Sequence, residues 1–185
     1  LHKAIRRQRQ MCIRDRLCFM EIRNLYDINR NLCEQTVVKG QPIPSGLRIV
    51  CVCTVILNSN NEFLIQKRVP SKNGKFGLTS GHPKLGETSK EGMLTELHEE
   101  LGIIISPEEL HLFHSELHDE ESFRDLYYYK KDFSPSILTY QAEEVEFAKW
   151  ATFEEISELF HNKMFCHTHY ADLQKYIAYT TSHVN

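Results

Sequence analysis

No apolar run in this 185-residue chain approaches the roughly 18 residues that a membrane-spanning helix needs, so a membrane-embedded role is not expected. There is no C-x-x-C pair either. The six cysteines (Cys12, Cys18, Cys33, Cys51, Cys53 and Cys166) are scattered, and Cys51 and Cys53 alternate within an apolar, strand-like run. Reduced thiols in a cytoplasmic protein are the expectation from that spacing. The N-terminal stretch lacks the long apolar segment of a secretory signal. A hydrophobic content of 41% and a length of 185 residues suit one domain with a packed core.

Charge is unevenly spread. Of 22 basic and 25 acidic residues, six and one lie in residues 1–19, which leaves 16 and 24 afterwards and a net charge of −8 for the remainder. Residues 1–19 have no regular periodicity, and the run Met11-Cys12-Ile13-Arg14-Asp15-Arg16 resembles translated sequencing-adapter read-through. They are taken as a non-native or disordered extension, with Met20-Glu21-Ile22 as the natural start and residues 20–185 as a single domain. A basic nucleic-acid arm or a transit peptide is the alternative for this segment.

The prolines at 42 and 44 disfavour helix, so residues 20–46 read as an N-terminal strand or hairpin and a loop. Leu47 to Leu57 is rich in β-branched residues, and Asn58-Ser59-Asn60-Asn61 is a turn before the strand Glu62 to Arg68. Val69 to Lys75 reads as loop and Phe76 to Ser80 as a short strand. After the central segment, strands are expected at Ile103 to Ile105, Leu110 to His118, Phe123 to Phe133 and Val145 to Trp150, with a helical turn at Pro107 that Ser106 caps. Thr152-x-x-Glu155 is a capping box opening a helix to about Asn162, and a last helix is expected over about Tyr170 to Tyr179.

The most informative segment is Gly81 to Ile103. Thr88 and Glu91 form a capping box, and Gly102 stands where a left-handed C-terminal cap would fall, so a helix is predicted over Ser89 to Leu101. On it Glu96, Glu99 and Glu100 stand at i, i+3 and i+4 and project from one side, while Leu94, Leu97 and Leu101 mark another side as the core stripe. The carboxylates are expected to be presented, not buried. Each like-charge i, i+4 pair costs a helix about 0.2–0.5 kcal/mol, and the usual offset is a hard divalent cation with oxygen ligands. A solvated acidic face is the plainer reading. The preceding loop Ser80-Gly81-His82-Pro83-Lys84-Leu85-Gly86 has two glycines that allow close backbone approach, which favours a site.

Gly81, Glu87, Glu96, Leu97, Glu99, Glu100, Gly102 and Ile103 match the Nudix box G-x5-E-x7-R-E-U-x-E-E-x-G-U, U being a bulky aliphatic residue. The chain thus resembles Nudix hydrolases over these 23 residues. Thr95 departs from the pattern, because relatives have there an arginine that holds a box glutamate, and threonine offers neither charge nor a bidentate fork. The resemblance implies an α+β fold, an α/β/α sandwich with a mixed sheet around the box loop-helix and outer C-terminal helices. It also implies Mg²⁺- or Mn²⁺-dependent cleavage of a diphosphate linkage, in a nucleoside diphosphate derivative or a similar organic pyrophosphate. Glu99 and Glu100 are then principal ligands, Glu96 a ligand or water-orienting base, and the Gly81 carbonyl a further ligand. Glu87 supports the loop or an additional metal.

A later proton acceptor is sought among Glu143, Glu144 and Glu146, with Glu144 preferred. Lys67, Arg68, Lys72 and Lys75 precede the box and are candidates for phosphate contact, Arg68, Lys75 and Lys67 foremost. The expected partner is a small-molecule diphosphate, with neither membrane nor nucleic acid expected, and the oligomeric state is open between monomer and homodimer. Two other readings compete. Ser80-Gly81-His82-Pro83 to Glu87 is similar to the C-G-H-P-x-L-G-E stretch of isopentenyl-diphosphate isomerases, but Ser80 replaces the cysteine, Ile49 the extra metal histidine, and only Arg124 and Asp125 stand near the later glutamates. The other is a non-catalytic ligand-binding module whose metal site has decayed. The histidines at 111, 114 and 118 and at 161, 167 and 169 lack zinc-type spacing, and His111 and His114 would face opposite sides of a strand. Tyr127, Tyr128 and Tyr129 include a candidate base-stacking residue, although aromatics in a half-buried strand are ordinary core material, and recognition of a nucleobase stays open.

Overall fold

The computed structural model describes residues 21–183, so the expectations for residues 1–19 and for Met20 as the start lie outside the described residues. The chain opens with an antiparallel hairpin, β1 (Ile22–Tyr26) and β2 (Leu32–Val38), whose turn is held by Asp27 Oδ1 accepting from the Asn29 and Asn31 amides. β3 (Ile49–Leu57), β4 (Phe63–Arg68), β5 (Phe76–Gly77) and β6 (Thr79–Gly81) follow, then helix α1 (Ser89–Leu101). β7 (His111–Leu117), β8 (Ser122–Lys130) and β9 (Val145–Ala151) complete the strands, and α2 (Phe153–His161) and α3 (His167–His183) the helices.

β3 organises a seven-stranded mixed sheet. It runs parallel to β8 from Ile49↔Ser122 to Leu57↔Lys130, pairs antiparallel with β6 at Val52 to Thr54, and meets β4 at Leu57↔Phe63. β4 carries β9 and β5, and β7 pairs with β8. The alternation of β3 builds two cores. Val50, Val52 and Ile56 pack with Met93, Leu97 and Leu101 of α1, whereas Cys53, Val55 and Leu57 pack with Ile156 of α2 and Leu173 and Tyr176 of α3. A sheet buried on both faces by helices is the α/β/α sandwich expected. A third, smaller cluster of Leu25, Val37 and Ile49 seats the hairpin on the start of β3.

α1 has the predicted bounds because its signals are local. Thr88 Oγ1 accepts from the Glu91 amide at 3.3 Å, Glu91 Oε2 accepts from the Thr88 amide at 2.8 Å, and Gly102 closes the helix with φ of +68°. Three expectations fail. Ile103 to Ile105 is not a strand, since the Ile103 amide returns to the Leu97 carbonyl as part of the helix cap and Ile104 is 81% exposed. Phe76 to Ser80 splits into β5 and β6, which pair with different strands. α3 begins at His167, three residues before the predicted start, and extends to His183.

Met93, Leu97 and Leu101 are the fully buried stripe of α1, with Leu94 only half-buried beside them. Leu97→Ala is expected to lower unfolding free energy by about 2–5 kcal/mol in urea denaturation. Ile104→Ala, at an exposed position, is expected to change it by less than about 0.5 kcal/mol.

Candidate active site

α1 packs on β3 and β6, and this placement divides the acidic face. Glu100 is only 5% exposed, Glu96 is half-buried and Glu99 is exposed, so the expectation that all three are presented to solvent is corrected. Glu100 Oε2 accepts from Gln66 Nε2 at 2.8 Å, and Gln66 Oε1 in turn accepts from Thr79 Oγ1 at 3.2 Å. Glu96 Oε1 accepts from the His82 amide at 3.1 Å. A Cβ on residue 81 would overlap the Glu96 carboxylate, so the box glycine is what lets this side chain lie against β6.

Burial pushes the Glu96 carboxyl up to about 8, and the neighbouring Glu100 and Glu99 charges add to the shift. Burial likewise raises Glu100 to about 7, against the hydrogen bond from Gln66. Glu99 instead pairs with the Lys84 ammonium. Thr95 does part of the orienting work expected of an arginine: its hydroxyl donates to Glu87 Oε1 at 2.7 Å, and the Lys84 amide donates to Glu87 Oε2 at 2.7 Å. Both oxygens of the box-loop glutamate are thereby held without a guanidinium.

These carboxylates line a cleft of about 260 Å³ together with Gly81, Ser80, His82, Cys51, Gln141 and Glu144. Five cations line the same cleft. Arg23 and Lys39, from the hairpin, share Glu21 at 2.7 and 2.6 Å, while Arg68 and Lys72 share Glu144 at 3.0 and 2.6 Å. Arg124, on β8, is buried in a bidentate pair with Asp172 of α3. Although burial works the other way, the Lys72 and Arg68 hydrogen bonds hold Glu144 below the ordinary carboxylate range.

Among the predicted residues, Gly81, Glu96, Glu99, Glu100, Glu144 and Arg68 are brought together, whereas Lys67 and Lys75 are not among the cleft-lining residues. The strand period explains Lys67. Gln66, bonded to Glu100, and Arg68, which lines the cleft, share one face of β4, and Lys67 projects from the other, with its ammonium on the Gly74 carbonyl and 4.9 Å from the Phe76 ring centroid. Glu143 and Glu146 are exposed and do not line the cleft.

Sequence reasoning missed Glu21, Arg23, Lys39, Arg124, Gln141 and Gln66. None left a clear signal, since Gln66 simply stands between the apolar Phe63 to Ile65 and the cations Lys67 and Arg68. His82 Nε2 lies 3.0 Å from Cys51 Sγ, but burial holds the imidazole down at about 4 and pushes the thiol up, so the pair is neutral and supplies no thiolate.

Elsewhere, His111 and His114 do not face opposite sides. A bulge between Leu112 and His114 sets them opposite Tyr128 and Leu126, two positions of one β8 face. His111 lies against Tyr128 and His114 bonds Glu116 at 3.0 Å. Ile49 belongs to the hairpin core, and Asp125 is buried against Arg30, Ser115 and Ser89. Neither position gives the cleft the histidine or carboxylate that the isomerase reading needs.

Among the described residues no three His, Cys, Asp or Glu side chains converge as a ready-made metal cage. The donor set nevertheless fits a hard divalent ion. All the carboxylates are oxygen donors, burial raises the pKa values of two of them so that a cation would stabilise their charged form, and Glu99 is held only by Lys84.

A NUDIX domain model matches residues 47–170. The chain belongs to the Nudix hydrolase family. An uncharacterised Nudix hydrolase of Listeria monocytogenes is 35% identical over 144 residues, covering 76% of this chain and 85% of that protein. One from Listeria innocua is 33% identical over the same length. In fold the chain is similar to DR0079 from Deinococcus radiodurans, with a TM-score of 0.62, 19% identity and coverage of 76% of this chain and 90% of that one. The structure of a Caenorhabditis elegans Ap4A hydrolase complex superposes with a TM-score of 0.52 at 17% identity, covering 71% of this chain and 98% of that one.

In this Nudix protein the raised carboxyls of Glu96 and Glu100 shape the pH response of the metal-free state together with the lowered His82 and His169. Glu96 and Glu100 ordinarily titrate at 4.5 and in the folded chain at about 8 and about 7, so between these limits the folded state holds protons that the unfolded chain has released. Their contribution to stability is therefore full below about pH 4.5 and is lost as pH rises through 7 to 8. Because the lowered His82 and His169 work in the opposite sense below about pH 6.5, calorimetric melts in chelator should show Tm falling from about pH 6.5 to 8, and the Glu96→Gln, Glu100→Gln double variant should lose that fall.

Proposed function

We propose that this Nudix hydrolase is a divalent-metal-dependent pyrophosphohydrolase that cleaves the diphosphate linkage of a small organic pyrophosphate, nucleoside diphosphate derivatives included. The observation that carries this reading is one cleft in which Glu96, Glu99 and Glu100 are faced by Arg23, Lys39, Arg68, Lys72 and Arg124. Carboxylates and cations in one small space suit a ligand set made of a divalent ion and a diphosphate, each neutralising what the other leaves over.

Glu96, Glu99, Glu100 and the Gly81 carbonyl would hold Mg²⁺ or Mn²⁺. When bound, the ion would neutralise charge on the diphosphate and lower the pKa of the attacking water. The chain's own groups orient and exchange protons. The two cation pairs grip phosphate oxygens, and each pair carries one net positive charge after its shared glutamate is counted. Water attacks one phosphorus, the bridging P–O bond breaks, and the departing phosphate leaves with the electron pair. Glu96 serves as a ligand or as the acceptor for the water proton, and Glu144, held ionised by two cations, better serves to align Arg68 and Lys72. Among the described residues no Phe, Tyr or Trp lines the cleft, so a nucleobase would lie in the adjoining groove of His98, Gly102, Thr139 and Tyr140, which shares Glu99 and Gln141 with it.

Turnover should be measured over a panel of nucleoside diphosphate derivatives, dinucleoside polyphosphates and isopentenyl diphosphate, with Mg²⁺ or Mn²⁺. Metal-dependent hydrolysis of at least one compound is expected, with Glu99→Gln and Glu100→Gln each lowering kcat on the order of 10²–10⁴-fold. Activity that survives both changes would sink the assignment of the site, and tight binding without turnover would favour a regulatory module. Thr95→Val, which removes the bond to Glu87, is expected to lower activity or metal affinity by about 10–100-fold, as for other outer partners of metal ligands. Steady-state kinetics at several Mn²⁺ concentrations reads this out.

A further inference from the structure

We infer that His169 of α3 is a positioning residue that fixes Ser80 as a hydrogen-bond donor to phosphate in the cleft. The identity of that ligand rests on the pyrophosphohydrolase reading, and the His169–Ser80 arrangement stands on geometry. The Leu78 amide donates to His169 Nδ1 at 3.0 Å, and Ser80 Oγ lies 3.0 Å from His169 Nε2. A backbone amide can only donate, so Nδ1 must present its lone pair. A neutral imidazole then has its single proton on Nε2, and the bond to Ser80 runs from Nε2–H to Oγ.

Burial holds the His169 pKa down at about 3, so the ring stays neutral over the working range of pH. The site is shaped for the ring, since a Cβ on residue 77 would come within 2.5 Å of Nδ1. Gly77 on β5 leaves the space into which α3 inserts the imidazole.

The consequence falls on Ser80. Its oxygen accepts from His169, and the hydroxyl makes no other hydrogen bond among the described residues, so its own proton is left to donate. Ser80 lines the cleft beside Gly81, and its amide N–H is directed at Glu100. A freely rotating serine could offer a lone pair or a proton to a ligand. One already engaged as an acceptor presents its proton, which suits an anionic oxygen. α3, which already holds Arg124 through Asp172, thereby reaches the cleft a second time through the Ser80 hydroxyl.

The test uses substitutions that separate the two halves of the imidazole's role. His169→Asn keeps an oxygen for the Leu78 amide and is too short to reach Ser80, whereas His169→Gln can place an amide N–H on Ser80. Ser80→Ala lies on the cleft wall, leaves the Leu78 bond intact, and keeps the test alive if the His169 variants fold poorly. Calorimetric binding of methylenediphosphonate with Mg²⁺, and kcat/KM for whichever diphosphate is turned over, are the readouts. Ser80→Ala and His169→Asn should each weaken both by about tenfold, the double variant should be no worse than either, and His169→Gln should recover most of the loss. ¹⁵N NMR of the imidazole should report Nε2 protonated.

Multiplicative losses in the double variant, with His169→Gln no better than His169→Asn, would reduce His169 to a structural pin. Unchanged binding in Ser80→Ala, or a proton on Nδ1, would overturn the inference while leaving the hydrolase reading intact. Binding that weakens as expected in an enzyme that turns over no diphosphate would instead overturn the hydrolase reading. A wild-type protein that binds no methylenediphosphonate overturns the phosphate contact outright.

Discussion

The packing of the Glu96 and Glu100 carboxylates against the sheet edge is the constraint around which this protein is arranged. Taking two carboxylates out of water is unfavourable unless they are hydrogen-bonded, protonated or matched by cations. Each remedy is visible: Gln66 and the His82 amide donate to them, and their proton affinities are raised. The absence of a side chain at Gly81 makes the approach possible at all. The leucines of α1 hold the helix in place, but the carboxylates decide how closely its acidic flank meets β4 and β6.

The positive charge that answers them comes from segments far apart in the chain. Arg23 and Lys39 arrive with the N-terminal hairpin, which is tied to the box loop by the Leu85 amide on the Ile22 carbonyl at 2.8 Å and by Asn24 on the Glu87 carbonyl. Arg68 and Lys72 come from the end of β4 and the turn after it, and Arg124 from β8. Glu21, Glu144 and Asp172 each hold cations in place, so the cleft is ordered before any ligand enters. Such preorganisation is what electrostatic catalysis requires, because charges that need not reorient add nothing to the barrier.

Thr95 shows how a departure from a family pattern is compensated. The orienting hydrogen bond to Glu87 is kept at 2.7 Å while the charge and second donor of an arginine are lost, and the Lys84 amide supplies the other contact. The box loop is held by short-range bonds in place of one long, charged side chain.

The helix that carries the box, its caps and the main strands were legible because their causes are local: Thr88 and Glu91 cap each other across three residues, and β-branched alternation marks β3. The eight box positions likewise identified the family and placed Glu96, Glu99 and Glu100 at the site. Expectations failed where a neighbour distant in sequence intervened. Ile103 to Ile105 carries strand-forming residues but is spent on the helix cap, and a bulge in β7 overturned the alternation that separated His111 from His114. Lys67 and Arg68 look equivalent in the chain, and the pleat sends only the second into the cleft. By itself, then, the sequence determined the fold family, the spacing of the acidic residues and the helix that carries them, since spacing along one element is set by backbone geometry. Which carboxylates are desolvated, which cations face them, and that α3 reaches the cleft through His169 were decided only by the tertiary structure, because burial and long-range pairing depend on residues that spacing along the chain does not relate.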